Sequence, residues 1–283
     1  MKKRLIDFPK ELFKLPLMER LLARLTQQKP LGHFYSRLPP INTAYSVPSL
    51  RTVKRNGIQY ELDLSDYMEW LVFWGILVEP RHILYNLAKP GSIVVDVGAN
   101  IGETTMSLAK LVGPSGFVHS FEPNGVTFEK LSRNIALNKF SNIRINPVGL
   151  GDNDEKLVLG VQVLSNLGGA RVRRSLSEGH VIQVTTLDHY LAELHVGPVN
   201  LIKIDVEGFE LHVLRGAERT LLEFKPSLFV ELDDNNLRDQ GDSAENLVKF
   251  LEALGYSITD AVTGATVRSG QSFANCHTDI VAQ

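Results

Sequence analysis

From Gly91 onward the sequence alternates short apolar runs with amphipathic helical stretches, and this alternation constrains the fold more than any other feature. Continuous apolar strands separated by helices are typical of a parallel sheet that helices cover on both faces. The pattern predicts strands at 92–97, 117–121, 143–148, 201–204 and 227–232, helices at 103–111, 126–138, 209–223 and 243–254, and short strands at 257–259 and 279–281. Residues 155–184 have β-branched alternation and glycines, which indicates an insert of strands or loops. The sequence therefore predicts an α/β fold.

The first fifty residues follow a different pattern, because six of the 13 prolines lie at or before Pro48. Residues 1–29 also carry eight Lys or Arg against three Asp or Glu. Four leucines of this segment have helical spacing: Leu17, Leu21, Leu22 and Leu25. We expect an appendage that packs these leucines on the main domain. A lid, a partner-docking arm and a membrane-surface helix are the alternatives.

A hairpin is the clearest local signal between this appendage and the main domain. Asn56 and Gly57 supply the turn, and apolar residues alternate with polar ones around them within 52–62. Ser65 then predicts the start of a helix that Pro80 ends or kinks. These patterns predict three parts: a basic, proline-rich appendage at 1–50, a hairpin and helix at 51–89 that pack on the core, and the main domain at 90–283.

Composition excludes several classes of function. The formal net charge of -2 gives no overall basic field for nucleic acid, and the single cysteine, Cys276, excludes a disulfide framework or a cysteine-rich zinc site. The longest apolar run, Trp70–Val78, has nine residues, whereas a spanning helix needs about 20. Charged residues interrupt any apolar segment after the basic start. We therefore expect a cytoplasmic protein without a transmembrane segment.

The loop after the first strand of the main domain carries the first candidate binding residues. Gly98 and Gly102 allow a tight turn that brings the main chain close to a ligand, and Asp96 precedes them. Twenty residues after Gly102, Glu122 ends the second strand, where a carboxylate can accept hydrogen bonds from both hydroxyls of a ribose.

Two classes of cofactor use such an acid: nicotinamide or flavin dinucleotides, and S-adenosylmethionine. The dinucleotide fingerprint requires a glycine where this chain has Asn100, because the pyrophosphate needs that space. Asp96 would also repel a pyrophosphate, whereas it suits a ligand with an ammonium and a sulfonium group. The spacing therefore favours S-adenosylmethionine.

A second charged cluster follows two later strands. Lys203 and Asp205 alternate with apolar residues on one strand, and Glu207 lies in the loop after it. Glu231 ends the next strand. Since the carboxyl ends of parallel strands meet at one edge of a sheet, we expect the three acids and the lysine to converge beside the glycine loop.

Six sequence blocks, in this order, resemble the FkbM-type methyltransferase family. They are 96–102 (DVGANIG), 121–123 (FEP), 185–188 (TTLD), 203–208 (KIDVEG), 213–217 (VLRGA) and 230–231 (VE). The resemblance covers about residues 90–260. It implies a seven-stranded, mostly parallel, Rossmann-like sheet with helices on both faces. It also implies methyl transfer from S-adenosyl-L-methionine, usually to a hydroxyl of a sugar, polyketide or other secondary metabolite. Five matching positions would hold the cofactor: Asp96, Gly98, Asn100, Gly102 and Glu122.

The resemblance leaves the catalytic roles open. Our hypothesis is that Asp205 or Glu231 is the general base and that Lys203 pairs with or orients the carboxylates. A buried ion-pair network without a catalytic role is the alternative for these residues. We expect no metal, although Asp205 with Asp233, Asp234 or Asn235 would form an oxygen set suited to magnesium.

Other functions remain in view at this stage. A dinucleotide-dependent oxidoreductase and a non-catalytic cofactor-binding protein of the same fold are the alternatives to a methyltransferase. The expected acceptor is a small molecule or glycan with a hydroxyl group, and no nucleic acid is expected. The sequence does not specify the acceptor or the oligomeric state.

Overall fold

The computed structural model of the protein describes residues 12–77, 81–160, 172–173 and 179–283. Its contacts divide the chain near residue 79 into two compact units, which are described separately below. The finer division at residues 50 and 90 stays a prediction.

The first unit contains a helix, a hairpin and a second helix with short connecting strands. Its elements are α1 (Pro16–Leu25), β1 (Lys29–Pro30), β2 (Leu50–Arg55), β3 (Ile58–Asp63), α2 (Tyr67–Trp74) and β4 (Ile76–Leu77). Strands β2 and β3 pair antiparallel through a turn in which Asn56 and Gly57 have φ values of 48° and 85°. Both central residues are therefore left-handed, as a type I′ turn requires, and the predicted hairpin is confirmed.

The ends of α2 differ from the prediction. Asp66, not Ser65, is the N-cap, and its carboxylate accepts hydrogen bonds from the amides of Met68 and Glu69. The helix ends at Gly75, with φ of 64°, before the predicted stop at Pro80. Both predicted ends were wrong because Asp66 also offers a cap, and because glycine adopts the left-handed conformation that closes a helix.

The four leucines that the sequence placed on one face of α1 differ in burial, and their packing on the main domain stays a prediction. Leu22 is buried, whereas Leu17, Leu21 and Leu25 are exposed. The helix therefore keeps part of its apolar face on the surface.

The second unit contains the predicted alternation. Its elements are α3 (Arg81–Leu87), β5 (Ile93–Val97), α4 (Glu103–Val112), β6 (Phe117–Phe121), α5 (Gly125–Ala136), β7 (Ile143–Asn146), β8 (Gly149–Leu150), β9 (Glu155–Leu159), β10 (Val172–Arg173), β11 (His180–Thr185), α6 (Leu187–Glu193), β12 (Leu201–Ile204), α7 (Glu210–Arg215), α8 (Glu218–Phe224), β13 (Ser227–Asp233), α9 (Asp234–Asp239), α10 (Ala244–Ala253), β14 (Ile258–Asp260), β15 (Thr266–Val267) and β16 (His277–Ala282).

The main sheet has the strand order β15-β14-β16-β13-β12-β5-β6-β7. Strands β13, β12, β5, β6 and β7 are parallel, and β16 runs antiparallel between β13 and β14. The predicted mostly parallel, Rossmann-like sheet is confirmed. The described residues form eight strands instead of seven, since the two-residue β15 adds an edge. The chain order reverses between β5 and β12, and ligands of such sheets bind at this point.

Buried side chains lie on both faces of this sheet. Val95 and Ile202 belong to one apolar cluster, and Val94 and Leu201 belong to another. Successive residues of a strand point to opposite faces, so these two clusters are the packing layers above and below the sheet. This arrangement explains why the strand sequences are continuously apolar.

One predicted helix is interrupted. The helix expected at 209–223 is divided into α7 and α8 around Gly216. A Cβ atom at Gly216 would lie 1.8 Å from the carbonyl oxygen of Gly151, so a neighbouring backbone approaches the chain closely there. The break in the helix could not be predicted from the local sequence, because it depends on this contact with a distant segment. The predicted 155–184 insert lies partly outside the described residues, and its described part contributes β9, β10 and β11 to a second, four-stranded sheet.

Within the described ranges, no helix combines the length and the apolarity that a bilayer crossing requires.

Candidate active site

The glycine turn after β5 is folded against the carboxyl end of β12. Gly98, Asn100 and Gly102 have φ values of 78°, 49° and 89°. A Cβ atom at Gly98 would lie 1.9 Å from the carbonyl oxygen of Asp205, so glycine is required there for the close approach of the two chain segments. The turn leads into α4, for which Gly102 is the N-cap residue.

Glu122 lies directly after β6 and faces this turn. Its side chain is buried, and its two oxygens accept hydrogen bonds from the amides of Asn100 and Asn124, each at 2.9 Å. Burial raises the pKa of Glu122 to about 7, although the two amide donors oppose this shift. Each oxygen has a second lone pair, so the carboxylate can still accept hydrogen bonds from a ligand.

Asp96 is fully buried at the end of β5. One oxygen accepts a hydrogen bond of 2.6 Å from the Thr105 hydroxyl, which itself accepts one from Ser120 at 3.0 Å. The other oxygen lies 3.4 Å from the Lys203 ammonium. Asp96 therefore contributes its charge to the site from a buried position in β5, next to the start of the turn.

Lys203 joins the two predicted clusters. Its buried ammonium donates hydrogen bonds to the carbonyl oxygens of Val97 and Gly98, at 3.1 and 2.8 Å, and lies 3.5 Å from a carboxylate oxygen of Asp205. Burial lowers the pKa of Lys203, but the attraction of Asp205 and Asp96 outweighs burial and raises it overall. The charged ammonium of Lys203, a residue of β12, therefore holds the start of the glycine turn against this strand.

Three acids form a row at the carboxyl edge of the sheet. Ile204 of β12 is in register with Val230 of β13, so the next residues, Asp205 and Glu231, are neighbours. Glu231 is in turn in register with Asp279 of β16. We call Asp205, Glu231 and Asp279 the acid row. The structure thus brings Glu231 close to Asp205, as the sequence suggested, and adds an acid from a distant part of the chain.

The members of the acid row differ in environment. The Asp205 side chain is 52% exposed, whereas one oxygen of Glu231 is buried and has no hydrogen-bond partner among the described residues. Burial and the nearby charge of Asp205 raise the pKa of Glu231 to about 10 and that of Asp279 to about 7. At neutral pH Glu231 therefore holds a proton.

Sequence reasoning missed two residues beside this row. Asp279 lies in a strand that the sequence indicated only weakly, and Arg81 precedes the glycine turn by 17 residues without a recognisable motif. Arg81 forms an ion pair with Glu103 of α4, and its charge also acts on Asp205 and Asp279. The only available signal for Asp279 was a charged residue next to an apolar run, Ile280–Ala282, near the end of the chain.

Other charged residues singled out by sequence have structural partners. Glu207 accepts a hydrogen bond from the Asn236 side chain at 3.1 Å. Asp233 caps α9, and Asp234 accepts from the Ala244 amide and pairs with Arg238. The described residues contain no group of three or more His, Cys, Asp or Glu side chains that could hold a metal ion.

The family model of the methyltransferase FkbM domain matches residues 96–258, more than half of the chain. The chain belongs to this family. The match contains the glycine turn, Glu122, Lys203, Asp205 and Glu231, whereas Arg81 and Asp279 lie outside it. The predicted family is therefore confirmed, and the protein is a methyltransferase.

Curated relatives agree with this assignment. This FkbM-family chain is 30% identical over 187 residues to Methyltransferase 1 of Beauveria bassiana, covering 59% of this chain and 73% of the relative. It is 31% identical to the 31-O-demethyl-FK506 methyltransferase FkbM of Streptomyces tacrolimicus, covering 46% of this chain and 61% of that protein. It is 28% identical to the hexuronic acid methyltransferase AglP of Haloferax volcanii, covering 49% and 55%. The chain thus spans less than two thirds of the latter two.

Among solved structures, the methyltransferase FkbM of Methylobacillus flagellatus KT is 21% identical to this FkbM-family chain. The TM-score is 0.44, and the match covers 69% of this chain and 44% of that one.

Proposed function

We propose that the protein is an S-adenosylmethionine-dependent O-methyltransferase whose acceptor is a hydroxyl of a sugar, polyketide or other secondary metabolite. The observation that carries this proposal is the buried Glu122 carboxylate, fixed by two backbone amides beside the glycine turn. A fixed carboxylate at this place suits a ribose, because it accepts hydrogen bonds from both hydroxyls at once.

The charges of the site fit S-adenosylmethionine better than a dinucleotide. Asp96 has a buried oxygen without a hydrogen-bond partner among the described residues, and Lys203 and Asp205 lie beside it. The acids outnumber the bases here, so the site favours a cationic ligand over a pyrophosphate. In this proposal Glu122 holds the ribose, the backbone at Gly98, Asn100 and Gly102 forms the binding turn, and Asp96 supplies negative charge.

When bound, S-adenosylmethionine supplies an electrophilic methyl group. The main task of the protein is then to hold the acceptor oxygen about 3–3.5 Å from that group, which can contribute roughly 7–11 kcal/mol. Asp205 is the candidate general base, because its side chain is exposed and Lys203 fixes its position. Asp205 would take up the hydroxyl proton of the acceptor while the acceptor oxygen receives the methyl group, the methyl–sulfur bond breaks and S-adenosylhomocysteine leaves. Glu231 is a poorer base because it holds a proton at neutral pH.

The names of the relatives support the class of acceptor. Two of them are named for 31-O-demethyl-FK506 and for hexuronic acid, and the first name places the methyl group on an oxygen. Glycans and hydroxylated metabolites are therefore the first compounds to test.

Calorimetric titration tests the cofactor. We expect S-adenosylmethionine and S-adenosylhomocysteine to bind and NADH not to bind. A thermal shift with NADH and none with S-adenosylhomocysteine would reverse the assignment in favour of an oxidoreductase.

A methyl-transfer screen against glycans and hydroxylated metabolites tests the reaction. With an acceptor in hand, Asp205→Asn should lower kcat by about 100-fold or more while leaving the Kd of S-adenosylhomocysteine within a few-fold. Glu231→Gln should lower kcat less. If Asp205→Asn stays fully active, Asp205 is not the base.

A further inference from the structure

Among the described residues, the contacts that fix helix α1 to the first unit lie on one side of the helix. Leu22 is buried, and the buried carboxylate of Glu19 forms an ion pair of 2.9 Å with Arg51. Just after the helix, the Thr26 hydroxyl donates a hydrogen bond to the carbonyl oxygen of Trp74. These contacts determine which side of the helix faces outward.

The outward side of α1 carries a row of exposed leucines with two arginines beside it. Leu17, Leu21 and Leu25 are 77%, 50% and 37% exposed, and at about 100° per residue they lie within an arc of about 80°. Arg20 and Arg24, both exposed, lie beside this row, on the opposite side of the helix from Leu22. We call these five residues the α1 outer face. Scattered exposed leucines are ordinary, but an aligned row flanked by guanidinium groups is the pattern of an interfacial helix.

The segment before the helix also combines exposed leucines with an excess of basic residues. Leu12 and Leu15 are half-exposed. Residues 1–29 carry eight Lys or Arg against three Asp or Glu, and one of these acids, Glu19, is buried and paired. The exposed part of α1 therefore presents positive charge and hydrocarbon but no acid.

We propose that the α1 outer face docks the protein on an anionic lipid surface, with α1 lying in the plane of the interface. Ten residues span only about 15 Å, so the helix lies on the bilayer and does not cross it. The leucines enter the boundary between headgroups and acyl chains, and the arginines contact lipid phosphates. A second copy of this chain is a poor occupant, because a symmetric contact would place the same arginines against each other. This inference does not rest on the proposed reaction.

Vesicle co-sedimentation of the full chain tests the proposal. We expect binding to phosphatidylglycerol–phosphatidylcholine vesicles, weaker binding at high salt, and little binding to pure phosphatidylcholine. The pair Arg20→Glu and Arg24→Glu should reduce the partition coefficient on anionic vesicles at least about tenfold. The pair Leu17→Ser and Leu21→Ser should reduce it similarly, since the apolar contact is lost.

Two matched pairs in the second unit are the controls. Leu222→Ser with Val262→Ser removes two apolar side chains that are 52% and 62% exposed, and Lys139→Glu with Lys156→Glu reverses two exposed charges. Both control pairs should bind like the original chain. Absence of binding to anionic vesicles, or equal loss in the controls, overturns the proposal. A fall in oligomeric mass caused by Leu17→Ser and Leu21→Ser would also overturn it, since the face would then be a self-contact.

Discussion

Two groups of carboxylates lie at the same edge of the main sheet, but their surroundings differ. The oxygens of Glu122 accept hydrogen bonds from two backbone amides, whereas Glu231 has a buried oxygen with no partner among the described residues. Both acids have a raised pKa, to about 7 and about 10. The backbone donors hold Glu122 in one orientation, while burial and the nearby charge of Asp205 keep a proton on Glu231. Glu122 and Glu231 thus differ in chemistry because the first has two backbone donors and the second has neighbouring acids.

The largest effect is expected at the turn that separates the two groups. Gly98→Ala places a methyl group against the Asp205 carbonyl at a φ of 78°, so the turn or the end of β12 must move. We expect a loss of at least about 3 kcal/mol in the free energy of unfolding, measured by urea denaturation. Gly32→Ala is the control, because nothing lies within 4 Å of its Cβ position, and it should change stability by less than about 1 kcal/mol. An unchanged unfolding curve for Gly98→Ala would show that the turn is not under this constraint.

Glu122→Gln tests whether the Glu122 carboxylate contributes to cofactor binding. The amide must place an NH2 group against one of the two backbone N–H donors, and it removes the charge that a ribose would contact. We expect about 100-fold weaker binding of S-adenosylhomocysteine by calorimetry.

The affinity of the original chain for S-adenosylhomocysteine should also depend on pH. It should fall up to about tenfold between pH 8 and pH 6, because Glu122 takes up a proton near pH 7. Glu129→Gln, exposed on α5, should leave both results unchanged. If Glu122→Gln shows the same pH dependence as the original chain, another group is responsible for it.

An effect on stability that depends on pH is expected from Glu231→Gln. The folded chain keeps the Glu231 proton up to about pH 10, whereas the unfolded chain releases it near the ordinary pKa of 4.5. The folded state therefore binds more protons in this window, and Glu231 makes stability fall as pH rises. The glutamine removes this penalty, which grows by about 1.4 kcal/mol per pH unit, so the Tm of the variant relative to the original chain should increase by about 7 °C between pH 6 and pH 9. A Tm difference that is constant with pH would mean that Glu231 is already ionised, and it would remove the contrast with Glu122.

Much of the main sheet and of the glycine turn could be predicted from sequence, because these features are local. Continuous apolar runs mark β5, β12 and β13, and the turn has its glycines in a recognisable spacing. Alternation along β12 also predicted that Lys203 and Asp205 share a face, and their ion pair agrees with this. Their catalytic roles stay predictions.

The remaining features depend on contacts between distant segments. Asp279 joins the acid row only because β16 pairs with β13, a register that no local pattern specifies. The division between α7 and α8 depends on the approach of Gly151, and the partner of Arg81 is 22 residues away. The Asp66 cap was missed for a different reason, since two adjacent residues could both cap the helix and the sequence does not choose between them.

The position of β16 has a consequence for the order of events during synthesis. This strand lies between β13 and β14 and follows both of them in the chain, so these two strands have no bridge until residues 277–282 leave the ribosome. The glycine turn and Glu122 are translated more than 150 residues earlier. A nascent chain can therefore form the glycine turn and place Glu122 well before Asp279 arrives, whereas β14 and β15 join the rest of the sheet only after β16 has been made.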